Sequence, residues 1–484
     1  MYILLLLPVG LIAYHLLSLV YKTITTRSLI SIPGPIYTRF TKLWYFNRVR
    51  QGHFEQDNID LHRRYGSVVR IAPDHYTIND RAAIKTIYGT GSKFAKSAWY
   101  EGWKHPDPER WTLFPDRNMK RHGIARDPDP DPHKFEHSLT ITAETRKRFS
   151  SLYSMSSLVH YEEFVDQCAD IFAQRLSEHA QRAQRLNLGY WFQCYAFDVI
   201  GHITFGQRFG ASPPLLPSTM LNAAGFLNEG RDIEGTIAAL QKVMTYSTLV
   251  GIYPEWHPRL FGPLSKFSWS GAGGRAYIMQ FVQEKIRQHN GQPKSGADQG
   301  ALQTQDFLEK MMLARDKNPE KVTDYHMFMM GQSNVIAGSD TTAISLSAIM
   351  YYLLHHPAVL EKLRREIDDF TAQGRCSPRV TFKESQEMPY FQAVMKEALR
   401  MHSATGLPLW REVPAGGAEL GGYFFPEGTV VGVNTWVAHY DEEVFPDAKS
   451  FRPERWIEAE QDPERLKMMN DMYMPVCCSC PCTL

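Results

Sequence analysis

The sequence predicts a mainly α-helical protein with a minor β part in two places. Three observations carry that prediction. Apolar residues recur at helical spacing over 144–185, 274–288 and 324–355. Proline marks ends rather than middles, as where Pro357 follows the longest of these runs. Short β-prone runs gather near 67–78 and 418–433. With 484 residues, 43% of them hydrophobic, the chain can bury a large core, in one large fold or in several domains.

In chain order, residues Met1 to Tyr21 carry no formal charge and are rich in Leu, Ile, Val and Tyr. As a helix they would reach about 30 Å, the thickness of a bilayer core. No basic segment precedes the run and no small-residue cleavage site follows it, so an uncleaved anchor is expected rather than a signal peptide. Lys22 and Arg27 follow, which places positive charge on the body's side. The expected organisation is a single-pass anchor over 1–21 in the endoplasmic reticulum membrane and a basic hinge over 22–35 ending in Ile32-Pro-Gly-Pro35. A body over 36–475, facing the cytoplasm, and a cysteine-rich tail over 476–484 complete it.

Within the body, a helical segment near Asp60–Tyr65 precedes strand candidates Ser67–Ile71 and His75–Ile78, joined through an Ala-Pro-Asp turn. Alternating prolines make Asp127–Pro132 a loop. The helical stretches 144–185 and 274–288 follow, with Gly271–Gly274 read as a Ser/Gly loop before the second. A Gly/Gln/Ser-rich linker covers 289–304. Next come one long helix over Asp324–His355, helices over Ala358–Asp369 and Tyr390–Met401, and strands including Ala418–Leu420 and Thr429–Val433.

A net charge of +1 without a long basic run gives no reason to expect nucleic acid as a partner. Seven cysteines fit a reducing compartment. Cys168, Cys194 and Cys376 are scattered and read as structural thiols. Cys477, Cys478, Cys480 and Cys482 crowd the tail without the spaced ligand pairs that zinc requires.

Three weak signals stand in order. Ala337 to Thr342 (Ala-Gly-Ser-Asp-Thr-Thr) interrupts the long apolar helix with small residues; Gly338 loosens the local hydrogen-bond ladder, and Asp340 and Thr341 add an acid and a hydroxyl there. Helix packing through small residues is an equally open reading of that segment. Glu397 and Arg400, three apart, share a helix face. Phe451 to Trp456 (Phe-Arg-Pro-Glu-Arg-Trp) is turn-like and brings a second guanidinium, Arg455, which could clamp the same carboxylate in a buried network.

With the anchor and the proline hinge, this series resembles the cytochrome P450 family over essentially the whole chain, most closely the fungal microsomal, pisatin-demethylase-like members of secondary metabolism. The resemblance implies the fold of that family. It makes Asp340 and Thr341 the catalytic acid–alcohol pair, with Ala337 and Gly338 against the cofactor, and Glu397, Arg400 and Arg455 the structural triad. Leu407 to Pro414 resembles the segment that passes over the cofactor, with Arg411 a propionate partner. Arg146 is a second such candidate, although Thr142 stands where the family has Trp or His; a solvated place beside Lys147 and Arg148 is its other reading. The implied cofactor is haem b, whose iron a cysteine thiolate holds to activate dioxygen, with electrons from NADPH through a reductase. Proton delivery through water would fall to the acid–alcohol pair.

The family's cysteine loop has the form Phe-x-x-Gly-x-Arg-x-Cys-x-Gly and precedes another helix. Here Tyr473 to Pro475 leads up to it, and the pattern then departs. Val476 replaces the aromatic, Ser479 the glycine and Pro481 the arginine, while Thr483 falls on the cysteine position and Cys482 misses it by one residue. The expectation is therefore a P450 fold lacking the haem-thiolate loop and the helix after it, with Cys482 the metal-ligand candidate. Retention of haem divides two readings. One is a membrane-bound haem-thiolate monooxygenase that inserts oxygen from O2 into a lipophilic small molecule of fungal secondary metabolism. The other is a catalytically silent, haem-less relative that binds a ligand or partner at most.

Overall fold

The computed structural model describes residues 29–107, 110, 112, 114–117, 151–209, 225–232, 235–291, 305–320 and 322–475. The expected anchor over 1–21, the Asp127–Pro132 loop and the tail over 476–484 lie outside them. Among the described residues no single helix is long and apolar enough to cross a membrane. Two compact units divide the described residues, one within 1–99, 405–449 and 464–481, the other within 100–404 and 450–463.

The first unit is built on a five-stranded sheet. Strand β1 (Val68–Ala72) turns through Pro73 and Asp74 into antiparallel β2 (His75–Ile78), with a register shift between Arg70 and Ala72. The remaining strands are β3 (Ala95–Lys96), β4 (Arg411–Glu412), β5 (Ala418–Leu420), β6 (Tyr423–Phe425) and β7 (Val430–Gly432). The order is β1-β2-β7-β4-β3, with β7 parallel to β2 (His75 opposite Val430) and antiparallel to β4. Strands β5 and β6 form a separate hairpin closed by Gly421 and Gly422, both with positive φ, which the two-residue turn requires. The described part of the expected hinge is fastened to this sheet: Arg70 N donates to Pro33 O at 2.9 Å, and a Cβ on Gly34 would stand 2.4 Å from Arg70 O.

The second unit is helical. At its centre lies Leu188–Phe205, capped by the Asn187 side chain and ended by Gly206 at φ +67°. It packs against Glu162–Gln181, Phe307–Lys317, Asp324–Gly338 and Asp340–His355, around a core that includes Phe197, Phe205, Phe226, Phe307 and Met311. Proline at the first position starts both Pro357–Ala372 and Pro389–Met401; Glu366 accepts the free N–H groups of Tyr390 and Phe391 at 2.8 Å each.

Several sequence expectations change. The run over 324–355 is two helices that meet at Ser339, whose hydroxyl bonds back to Val335 O at 2.8 Å. The described part of 144–185 contains a short helix, Met155–Val159, before Glu162–Gln181. Gly271–Gly274 is not a loop but the first turn of Gly271–Gly291. Its glycines let that helix lie directly on Thr236–Val250: a Cβ would come within 2.3 Å of Lys242 O at Gly271 and 2.7 Å of Ala239 O at Gly274. Neither Leu188–Phe205 nor Thr236–Val250 was expected, because helices apolar on most faces show little periodicity.

Candidate functional site

Glu397 lies on the inner face of the 389–401 helix, fully buried together with Arg400 and Arg455. An isolated carboxylate there would be costly, so its oxygens collect donors. Arg400 Nε donates to Oε2 at 3.0 Å and Arg400 Nη2 to Oε1 at 2.8 Å; Arg455 Nε donates to Oε1 at 2.9 Å. Two further donors come from the 451–456 segment: Trp456 Nε1 to Oε2 at 2.9 Å and Arg452 N to Oε1 at 3.1 Å. Ser450 O accepts from Arg455 Nη2 at 3.2 Å, so the surplus positive charge also meets a backbone dipole. Burial lowers the pKa of the Arg455 guanidinium, and Glu397 opposes that shift. The structure thus brings the three predicted residues together and adds Trp456 and the Arg452 amide, which charge pairing alone could not reveal. Phe451 holds the segment down by stacking on Tyr352, ring centres 5.0 Å apart.

The second constellation sits where the two long helices meet. Ser339 closes one helix and opens the next, and hydroxyls bond back along the chain: Thr341 Oγ1 to Ala337 O at 2.7 Å, Ser345 Oγ to Thr341 O at 2.8 Å and Ser347 Oγ to Ala343 O at 2.6 Å. Such bonds compete with the amide ladder and bend helices. Ala337 and Thr341, one turn apart, are exposed on the same side, and Thr342 is exposed beside them. Gly338 has a packing cause, since a Cβ there would come 2.9 Å from the Ile200 side chain.

Asp340 takes a different direction from its neighbour. Its carboxylate is partly buried toward the 188–205 helix, where Gln193 Nε2 donates to Oδ1 at 2.5 Å. Burial raises the Asp340 pKa, and the Gln193 hydrogen bond partly opposes the rise. The arrangement places a partly buried carboxyl one residue from a hydroxyl on an open helix face. Gln193 lies in a helix that the sequence did not predict, and only tertiary packing brings it here.

Arg411 belongs to the first unit. It is 3% exposed on β4, donates through Nη1 to Trp410 O at 3.1 Å, and lies 5.3 Å from the Tyr88 ring centre. Tyr88 fixes this segment, donating its hydroxyl to Leu409 O at 2.8 Å and accepting from Val433 N at 2.9 Å. Trp410 Nε1 bonds Tyr45 Oη at 3.1 Å. Arg146 and Cys482 lie outside the described residues. Cys168 and Cys194 are buried free thiols whose pKa burial pushes up to about 12, so neither is a reactive thiolate at neutral pH.

Among the described residues no group of three or more His, Cys, Asp or Glu side chains could hold a metal ion. A haem draws on other chemistry, needing a face of small side chains, a cation for its carboxylates and one axial sulfur. The exposed Ala337 and Thr341 on one helix face and the Arg411 guanidinium fit the first two needs, each within its own unit.

Comparisons with known proteins bear on the whole arrangement. The family model described as Cytochrome P450 matches residues 33–475. Pisatin demethylase of Fusarium vanettenii is 34% identical over 461 residues, 94% of this chain and 80% of that one. A cytochrome P450 monooxygenase of Aspergillus terreus is 33% identical over 448 residues, covering 91% and 83%. Cytochrome P450 monooxygenase gsfF of Penicillium aethiopicum is 32% identical over 467 residues, covering 95% and 85%.

Proposed function

This chain belongs to the cytochrome P450 family of monooxygenases, and from that premise we propose that it is a membrane-bound haem-thiolate enzyme. It inserts one oxygen atom of O2 into a lipophilic small molecule of fungal secondary metabolism. The observation that carries the reading is the interruption at Ser339, which leaves Thr341 on an open face and Asp340 beside it with a raised pKa.

Haem b, when bound, supplies the activation of dioxygen, with electrons drawn from NADPH through a reductase. The chain's own residues do the rest. Ala337 would keep the helix face low and Arg411 would hold a propionate, whereas Gly338 packs on Ile200 of the 188–205 helix rather than on that face. Thr341 Oγ1 orients a water, and Asp340 passes a proton to that water from its carboxyl. The triad keeps the 389–401 helix and the 450–456 segment in register. In this proposal Arg146 would be a second propionate partner and Cys482 would supply the thiolate that holds the iron. The residues 1–21 anchor the body to the endoplasmic reticulum membrane, facing the cytoplasm. The relative named for demethylation of pisatin supports a small organic substrate and no particular one.

A reduced carbon monoxide difference spectrum of the purified chain tests the proposal. Because the cysteine loop departs from the family's pattern, a thiolate-type band, weak at most, is the expected result, one that Cys482→Ala abolishes and Cys478→Ala leaves intact. Absence of any such band would overturn the enzyme reading for this chain.

A further inference from the structure

We infer that Gln193 is the positioning residue of Asp340, holding the carboxyl on the 188–205 helix in either protonation state and leaving Oδ2 as its proton-bearing oxygen. The 188–205 and 340–355 helices run antiparallel along a tight seam. Gly338 meets Ile200 at one end, Ala343 packs with Phe192 and Ala196 in the middle, and Gly189 approaches Ser347 at the other end. Each close contact needs a small residue on one side, so the distance between the helices is set by packing rather than by polar groups. Into this seam the 188–205 helix inserts one amide side chain, partly buried between Phe192 and Cys194. A buried amide must find a partner. The Asp340 carboxylate provides it, and among the described residues Gln193 is the only hydrogen-bond partner of that carboxylate.

Two consequences follow from the chemistry of an amide. Since Nε2 occupies Oδ1, a proton on the neutral acid resides on Oδ2, the oxygen without a partner among the described residues. A glutamine side chain also carries a donor and an acceptor on one carbon. Its Nε2 can donate to Oδ1 both when that oxygen belongs to a carboxylate and when it is the carbonyl oxygen of the neutral acid. An arginine at this place would favour the charged form alone, and a leucine would satisfy neither. Burial comes first and Gln193 second among the causes of the Asp340 shift. Cys194, Tyr195 and Asp198 on the same helix do not enter it. The neutral partner therefore suits an acid that must lose and regain a proton without changing place.

This rests on the acid–alcohol reading of Asp340 and Thr341, and its test does not need turnover. Infrared spectra of the full chain across pH follow the carboxylic C=O band that Asp340→Asn removes. In Gln193→Arg the band should vanish at a pH lower by about 1–3 units, as expected for an acid beside a guanidinium. In Gln193→Leu it should persist to higher pH and move to higher frequency, because an acid without a hydrogen bond has a stiffer carbonyl. Gln193→Asn, one methylene shorter, serves in place of either variant that does not fold, and should also move the band. One titration midpoint shared by the parent and these variants would overturn the proposal. A band that moves as expected in a chain without a carbon monoxide band would leave it standing while the enzyme reading fails.

Discussion

Glu397 and Asp340 lie in the same helical unit, and the structure treats their carboxylates in opposite ways. Glu397 is fully buried and accepts from two guanidiniums, an indole and a backbone amide. Asp340 is partly buried and accepts from one amide. The first arrangement fixes the carboxylate in a single position, which suits a joint. The second gives it one neutral donor, within a seam whose packing already fixes the backbone, which suits the proposed proton transfer. In this unit the number of donors on a carboxylate separates holding from acting.

The largest test of that contrast is Glu397→Ala, which would leave Arg400 and Arg455 buried without their carboxylate. A loss of about 3–5 kcal/mol is expected on the scale of broken buried ion pairs, read from urea unfolding. An unchanged midpoint would show that the network is solvated and the contrast false.

Asp198 sharpens the comparison, being fully buried yet held mainly by backbone. It accepts from Phe226 N at 3.1 Å and Leu227 N at 3.0 Å, with the Arg208 guanidinium 3.9 Å away. Burial pushes its pKa up to about 7 from 3.8, against the pull of these partners. The folded state therefore binds this proton more tightly than the unfolded chain does. The stability it contributes is full below the unfolded value of 3.8 and is lost as pH rises through about 7. Asp198→Asn should flatten that part of the stability–pH curve, measured by urea melts across the window. An undiminished slope would assign the dependence elsewhere.

Trp456→Phe removes one donor from Glu397 while keeping the ring. A hydrogen bond to a charged acceptor contributes about 1.5–3 kcal/mol, so this variant should fall between the parent and Glu397→Ala. Equality with the parent would reduce the indole to packing. Thr341→Ala should change stability least, by under about 0.5 kcal/mol, since the residue is exposed. Its effect belongs to function: product formed per electron consumed should drop while electron consumption continues. Equal coupling would make Thr341 a helix-bending residue alone.

How much of this was legible can be argued from particular residues. Glu397, Arg400 and Arg455 were readable as a triad through the family resemblance, since a spacing of three fixes a shared helix face but leaves open whether the pair is buried. The Trp456 donor stood beside Arg455 in the same turn-like segment, yet an indole reads first as core. Gln193 was invisible: its helix is apolar on most faces, so no period announced it, and its partner lies 147 residues away. Gly338 was visible as a weak point, but its contact with Ile200 depends on which helix lies across it.

The sequence by itself determined the helical class, the two β-bearing places, the family and the members of the triad. Spacing along the chain sets which side chains share a face, and residue type sets what they can do there. Tertiary structure alone decided that the long helix breaks at Ser339, that Gly271–Gly274 begins a helix, and that Asp340 turns to Gln193 while Thr341 stays on the open face. Local patterns are blind to such outcomes, because close approach between helices and the need of a buried amide for a partner arise only once distant segments are packed together.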